Sequence, residues 1–223
     1  MPNITPTVKQ NLIGLVSVFV LQLVVENWLE LRLFGWLALQ PGEFMPWQLV
    51  TYVLVNLNEP LFFLIGVLVL GWSLSQVELM FGRTRALQLC LVAALSASVP
   101  VWLLGFTPIG GLAPLWGISA VWYGAVAVTC WIDRHGIRSL FGAISMTGQQ
   151  MLMLFAGISF LYFLADKNIT RLVGDFGAIG GGMAYANWLR RPRKPKKPPE
   201  RKSARASGFK VIQGGQDDRN VLH

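Results

Sequence analysis

Ser119 stands in the run GISAVWYGAV, residues 117–126, where a hydroxyl is embedded among small and apolar residues. A serine hydroxyl is a weak nucleophile unless a base takes its proton. The chain has two histidines, His135 and His223. His135 follows Ser119 by 16 residues, which is about 24 Å along a helix at ~1.5 Å per residue. His223 lies in the terminal stretch, so neither imidazole reaches the serine. The competing role for Ser119 is packing. Gly117, Ala120 and Gly124 surround it, and Gly177, Ala178, Gly181 and Gly182 supply a second set of small residues. Such residues let membrane helices approach closely. Cys90 and Cys130 lie in apolar stretches with nothing beside them to form a thiolate. They give neither a disulfide framework nor a metal spacing, so they read as buried small residues. No metal or other cofactor is expected.

The elements that would position Ser119 follow from composition. Of 223 residues, 53% are hydrophobic and 13% charged, about half the charge fraction of an ordinary soluble domain. Six apolar stretches, at about 11–29, 60–79, 86–105, 115–132, 140–164 and 172–189, approach the ~20 residues needed to cross ~30 Å of hydrocarbon. The first is not followed by a small-residue cleavage site and reads as a retained helix. The expected organisation is a short N-terminus over 1–10, a six-span membrane domain over 11–191, and a tail over 192–223.

Charge sets the expected direction. With the N-terminus inside, the inner segments carry 16 of the basic residues and the outer ones 3, namely Arg32, Lys167 and Arg171. That asymmetry predicts both termini in the cytoplasm. The net charge is +8, and residues 190–205, RRPRKPKKPPERKSAR, hold nine basic residues and one acid. A basic run suits nucleic acid in other contexts. Directly after an apolar span it reads as an anchor to anionic lipid headgroups, with its prolines keeping it disordered and no nucleic acid as partner. The segment 30–58 is too apolar for a free loop and too interrupted for a span. Trp28, Trp36 and Trp47 suit the headgroup region, so it is expected to lie partly in the outer leaflet. The NEP triplet at 58–60 reads as a helix start, with Asn58 as cap and Pro60 in the first turn.

Four motifs in order resemble the rhomboid family of intramembrane serine proteases over about residues 10–191. They are WQLVTYVLVN (47–56), QVELMFGRTRAL (76–87), GISAVWYG (117–124) and FGAIGGGMA (176–184). The resemblance implies an all-α, six-helix membrane bundle with a membrane-associated loop between helices one and two. It also implies a serine–histidine dyad, with oxyanion donors on helix two. The nucleophile position falls on Ser119, and the glycine closing that motif falls on Ala120. The base position falls on Ala178, and the helix-two histidine and asparagine positions fall on Leu61 and Ile65. A further histidine position falls on Asn56. The chain thus resembles a degenerate member lacking the catalytic histidine. Asp175, three residues before Ala178 and on nearly the same face, is the substitute candidate, because a buried carboxylate can accept a proton. Its alternative is to cap the last helix or face water. Asn56 and Asn58 are alternative oxyanion donors, and Trp116 and Trp122 are expected at lipid or interface.

Two functions follow. The first is a pseudoprotease that binds the transmembrane helices of client proteins at the Ser119 region, with Gly117 and Ala120 as binding positions, without cleaving them. The second is an active intramembrane endopeptidase using Ser119 and Asp175. A small transporter is disfavoured by the absence of repeat symmetry and the scarcity of ionisable residues in the spans. A bacterial cytoplasmic membrane suits this topology.

Overall fold

The computed structural model describes residues 5–28, 33–57, 60–108, 112–140 and 144–191. The basic tail and the expected Asn58 cap lie outside the described residues. Among the described residues, eight α-helices follow in order: α1 Pro6–Trp28, α2 Leu33–Leu37, α3 Gln48–Thr51, α4 Pro60–Phe81, α5 Arg83–Leu104, α6 Ser119–Ile132, α7 Gly148–Asp166 and α8 Ile169–Arg190. Four of them, α1, α4, α5 and α7, are long and apolar enough to cross a membrane. Helix α6 is apolar but has 14 residues, about 21 Å at ~1.5 Å per residue, less than the ~30 Å of a hydrocarbon core.

The short α6 is the centre of the bundle. Residues 120, 121 and 123–130 of it are all buried, and α4, α5, α7 and α8 pack around it. Small residues make this closeness feasible. A Cβ added to Gly124 would sit 2.5 Å from Ala93 Cβ on α5, and one added to Gly182 would sit 2.5 Å from the Gly124 carbonyl oxygen. Glycines of α8 thus serve contacts with both neighbours. Gly182 meets α6, whereas Gly177 and Gly181 lie against Ser96 of α5.

The all-helical expectation is corrected at one place. Residues expected to open the fifth span at 140 instead form a hairpin, with β1 Ile137–Leu140 antiparallel to β2 Ile144–Thr147 and Ile137 opposite Thr147. The cause is local. Thr147 forms a reciprocal capping box with Gln150 at 2.9 and 3.3 Å, so α7 begins at Gly148. A capping box satisfies backbone donors that a helix start leaves open.

The described part of the segment between α1 and α4 holds the short helices α2 and α3. Ala38, Leu39 and Gln48 are buried, whereas Trp28, Trp36 and Trp47 are exposed. Gln22 of α1 ties this segment down. Its amide accepts from the Asn56 backbone N–H at 3.0 Å and donates to the Asn56 carbonyl at 3.3 Å and to Glu26 at 3.1 Å.

Candidate functional site: a serine and a carboxylate beneath a lateral cleft

Ser119 is the first residue of α6, and the chain leading to it is held by backbone bonds rather than by a helix. Leu115 pairs with Leu39 through two bonds of 2.9 Å, and the Gly117 N–H donates to the Tyr52 carbonyl at 3.0 Å. Tyr52 is fully buried, and its hydroxyl donates to the Ala94 carbonyl at 3.0 Å. Gly117 has φ +96°, a conformation that glycine adopts without the steric cost of a Cβ. Non-helical backbone inside a membrane domain survives only where protein groups satisfy it, and these pairings do so.

Asp175 neither caps α8 nor faces water. The cap comes from Asn168, whose side-chain oxygen accepts from the Arg171 N–H at 3.1 Å. Asp175 is buried at 1% exposure and accepts a hydrogen bond from the Ser159 hydroxyl of α7 at 2.8 Å through Oδ2. The Ser119 hydroxyl lies close enough to interact with the same carboxyl. Asp175 Oδ1, however, closes no hydrogen bond of full geometry among the described residues. Arg171 adds positive charge nearby. Its guanidinium stacks 4.4 Å over Tyr162 and pairs with Asp166 at 3.8 Å.

Two cavities meet at Ser119. A small one of about 80 Å³ is lined by Trp116, Gly117, Ser119, Asp166, Asn168 and Arg171, among others. A site that holds water needs roughly 10–15 Å³ and several polar partners, so this polar cavity has room for more than one. The larger, about 470 Å³, is a cleft between α4 and α7, floored by Ile118 just before α6 and by Ser119 and Trp122 of α6. Helices α4 and α7 pack on α6 rather than on one another, which leaves the side of the bundle open there. Phe62, Phe63 and Ile65 line one wall, and Phe155, Ile158 and Tyr162 the other.

The remaining expected residues fall as follows. Ala178 is fully buried, and neither it nor the neighbouring Ile179 has a titratable group. Ile65 lines the cleft, whereas Leu61 is 65% exposed and does not. Asn56 is buried beside Gly117, its Oδ1 3.7 Å from where a Cβ on that glycine would be. Ala120 is buried in the core and lines neither cavity. Trp122 is half-buried and lies on the floor of the cleft. It stacks on Tyr123 with centroids 3.8 Å apart and meets Phe155 edge-on at 5.6 Å. His135 is exposed beyond the far end of α6. Ser159, Tyr162, Asp166 and Arg171 were not anticipated as site residues. A lone serine within an apolar span was the available signal for Ser159, because polar groups inside membrane helices seek partners. Among the described residues, no group of three or more His, Cys, Asp or Glu side chains is arranged to hold a metal ion.

A helical membrane protein with a serine at the start of its innermost short helix, open to one side of the bundle, is the class these features define. The family model named Rhomboid domain matches residues 43–192, more than half of the chain, and the chain belongs to the rhomboid family. A search of curated proteins gives no match.

Proposed function

We propose that this rhomboid-family protein holds apolar helices of client membrane proteins in the Ser119 cleft without hydrolysing them. The observation that carries this reading is the chemistry around the serine. The cleft walls are aromatic and aliphatic, the residue at the family's base position is Ala178, and Ile65 stands where the family places an oxyanion donor. A nucleophile without a base and without oxyanion donors loses most of its rate, since one donor alone is typically worth ~10²–10³. The opening between α4 and α7 is suited to an apolar helix arriving from the lipid. On this reading six helices cross the membrane, both termini lie in the cytoplasm, and the basic tail of residues 192–223 rests on anionic lipid. A bacterial inner membrane fits that arrangement.

The test is photocrosslinking in liposomes from cleft position Phe155, with a model single-span apolar peptide as the client. The expected result is crosslinking above that from Leu21, an exposed residue of α1, and unchanged by Ser119→Ala. Equal crosslinking from both positions contradicts the proposal.

One observation favours a second reading, an active endopeptidase. Ser159 donates to Asp175, the Ser119 hydroxyl lies near the same carboxyl, and a cavity with polar lining opens onto Ser119. Here Asp175 would take the serine proton and Ser159 would orient the carboxyl. Activity that depends on both Ser119 and Asp175 supports this reading; activity unchanged by Asp175→Asn removes it.

A further inference from the structure

The end of α6 remote from Ser119 carries a separate cavity, of about 490 Å³, that the client-binding reading does not use. Its wall is apolar, from Cys130, Trp131, Leu152 and Met153, and its polar lining consists of Arg134, His135 and Gln149. No carboxylate lines it. Two arginines meet the end of α6, and they have different tasks. The Arg190 guanidinium of α8 donates to the Trp131 carbonyl at 2.9 Å and to the Ile132 carbonyl. Those bonds serve carbonyls that a helix end leaves without partners. Arg134 is held instead over the Trp131 ring at 5.8 Å. The Trp131 indole is itself fixed by its N–H donating to Asn187 Oδ1 at 2.7 Å.

We propose that this cavity is a binding site for one anionic glycerophospholipid, separate from the basic tail. Arg134 pairs with the phosphate, His135 and Gln149 donate to headgroup or ester oxygens, and the acyl chains lie on Leu152 and Met153. Charge selects the occupant: the Arg134 cation and two hydrogen-bonding side chains border an apolar wall, and the adjacent carboxylate, Asp133, is not among the lining residues. Arginine suits phosphate because its planar fork donates two parallel bonds. Met153 is 62% exposed, as a residue covered by acyl chain would be in the protein without lipid.

The experiment is native mass spectrometry of the full chain in mild detergent, after addition of equal amounts of dioleoyl phosphatidylglycerol or dioleoyl phosphatidylcholine. The expected result is one phosphatidylglycerol retained in preference to phosphatidylcholine. Arg134→Gln should weaken that retention roughly tenfold, as loss of a charge-assisted bond to phosphate implies. Arg134→Lys, which keeps the charge but loses the planar fork, should weaken it less than Arg134→Gln does. Thermal unfolding of each variant, matched to that of the parent, shows that the fold is intact. Three results overturn the proposal: equal retention of both lipids, unchanged retention in Arg134→Gln, or loss in a Lys194/Lys196/Lys197→Gln tail variant while Arg134→Gln retains the lipid.

Discussion

The Ser159 hydroxyl donates to Asp175 Oδ2 across 2.8 Å, and this bond joins α7 to α8 in the buried interior. The two residues are 16 positions apart, on consecutive helices that the turn at Lys167 folds back on each other. Lys167 takes the left-handed conformation at φ 52° to close α7, and Asn168 then caps α8. The polar pair is thus set by two helix ends, and Ser119 is delivered to it by a third element. The same contact serves both functional readings, as a structural tie in one and an orienting bond in the other.

Ser159→Ala should destabilise the protein by about 1 kcal/mol, the scale measured for hydrogen bonds between membrane helices. Asp175→Asn should cost less, because the amide oxygen still accepts from Ser159. Unfolding in mixed detergent micelles measures both. A larger loss for Asp175→Asn than for Ser159→Ala contradicts this account of the pair.

Gly117→Ala and Gly157→Ala should move stability in opposite directions. Gly117 has φ +96°, and the nearest atom to an added Cβ is 3.7 Å away, so the cost is backbone strain of roughly 1–2 kcal/mol. Gly157 lies inside α7, where an added Cβ meets nothing within 4 Å. Alanine there should stabilise by roughly 0.5–1 kcal/mol through helix propensity. Thermal midpoints of the two variants in detergent check the signs.

The glycines of α8 should separate by face. Gly182→Ala pushes a methyl to 2.5 Å from the Gly124 carbonyl oxygen, whereas an added Cβ at Gly180 meets nothing within 4 Å. Overpacking of this kind typically costs 1–3 kcal/mol. Gly182→Ala should therefore lower yield and thermal stability, and Gly180→Ala should not. Equal behaviour would mean that α8 is not seated on α6 as described.

Gln22→Leu should loosen the approach to α4 without unfolding the bundle. It removes both bonds to the Asn56 backbone while keeping an apolar side chain on α1. Hydrogen exchange should rise over residues 52–57 and stay unchanged in α6. Unaltered exchange at 52–57 would show that Gln22 does not hold this segment.

The sequence reveals the fold unevenly, for physical reasons. The long helices are legible because apolar runs of membrane length have few alternatives, and Pro60 and Gly82 mark their boundaries. The central helix is harder: the apolar run starts before the helix does, because Leu115–Gly117 is spent on pairings with Leu39 and Tyr52 that no local pattern announces. The hairpin at 137–147 hides inside an apolar run for the same reason, and only the Thr147–Gln150 box betrays the true start of α7. At the site, the closeness of Asp175 to Ser119 can be anticipated from helical spacing once Ala178 is placed beside the serine. Arg171, four residues before Asp175 on α8, is open to the same spacing argument, whereas Ser159 reaches the cluster through tertiary packing of α7 on α8 and is signalled only by its isolation in an apolar span. The place of Trp122 is open for a related cause. An indole in an apolar span suits lipid and cleft equally until the neighbouring Tyr123 and Phe155 are in place.

The most direct measurement of the central claim is cleavage of a single-span rhomboid model substrate by the purified protein in lipid vesicles, with Ser119→Ala beside it. The account predicts no product above background from either protein, while the substrate still crosslinks to the cleft. Product formed by the parent protein and abolished by Ser119→Ala would contradict it and make Ser119 a working nucleophile.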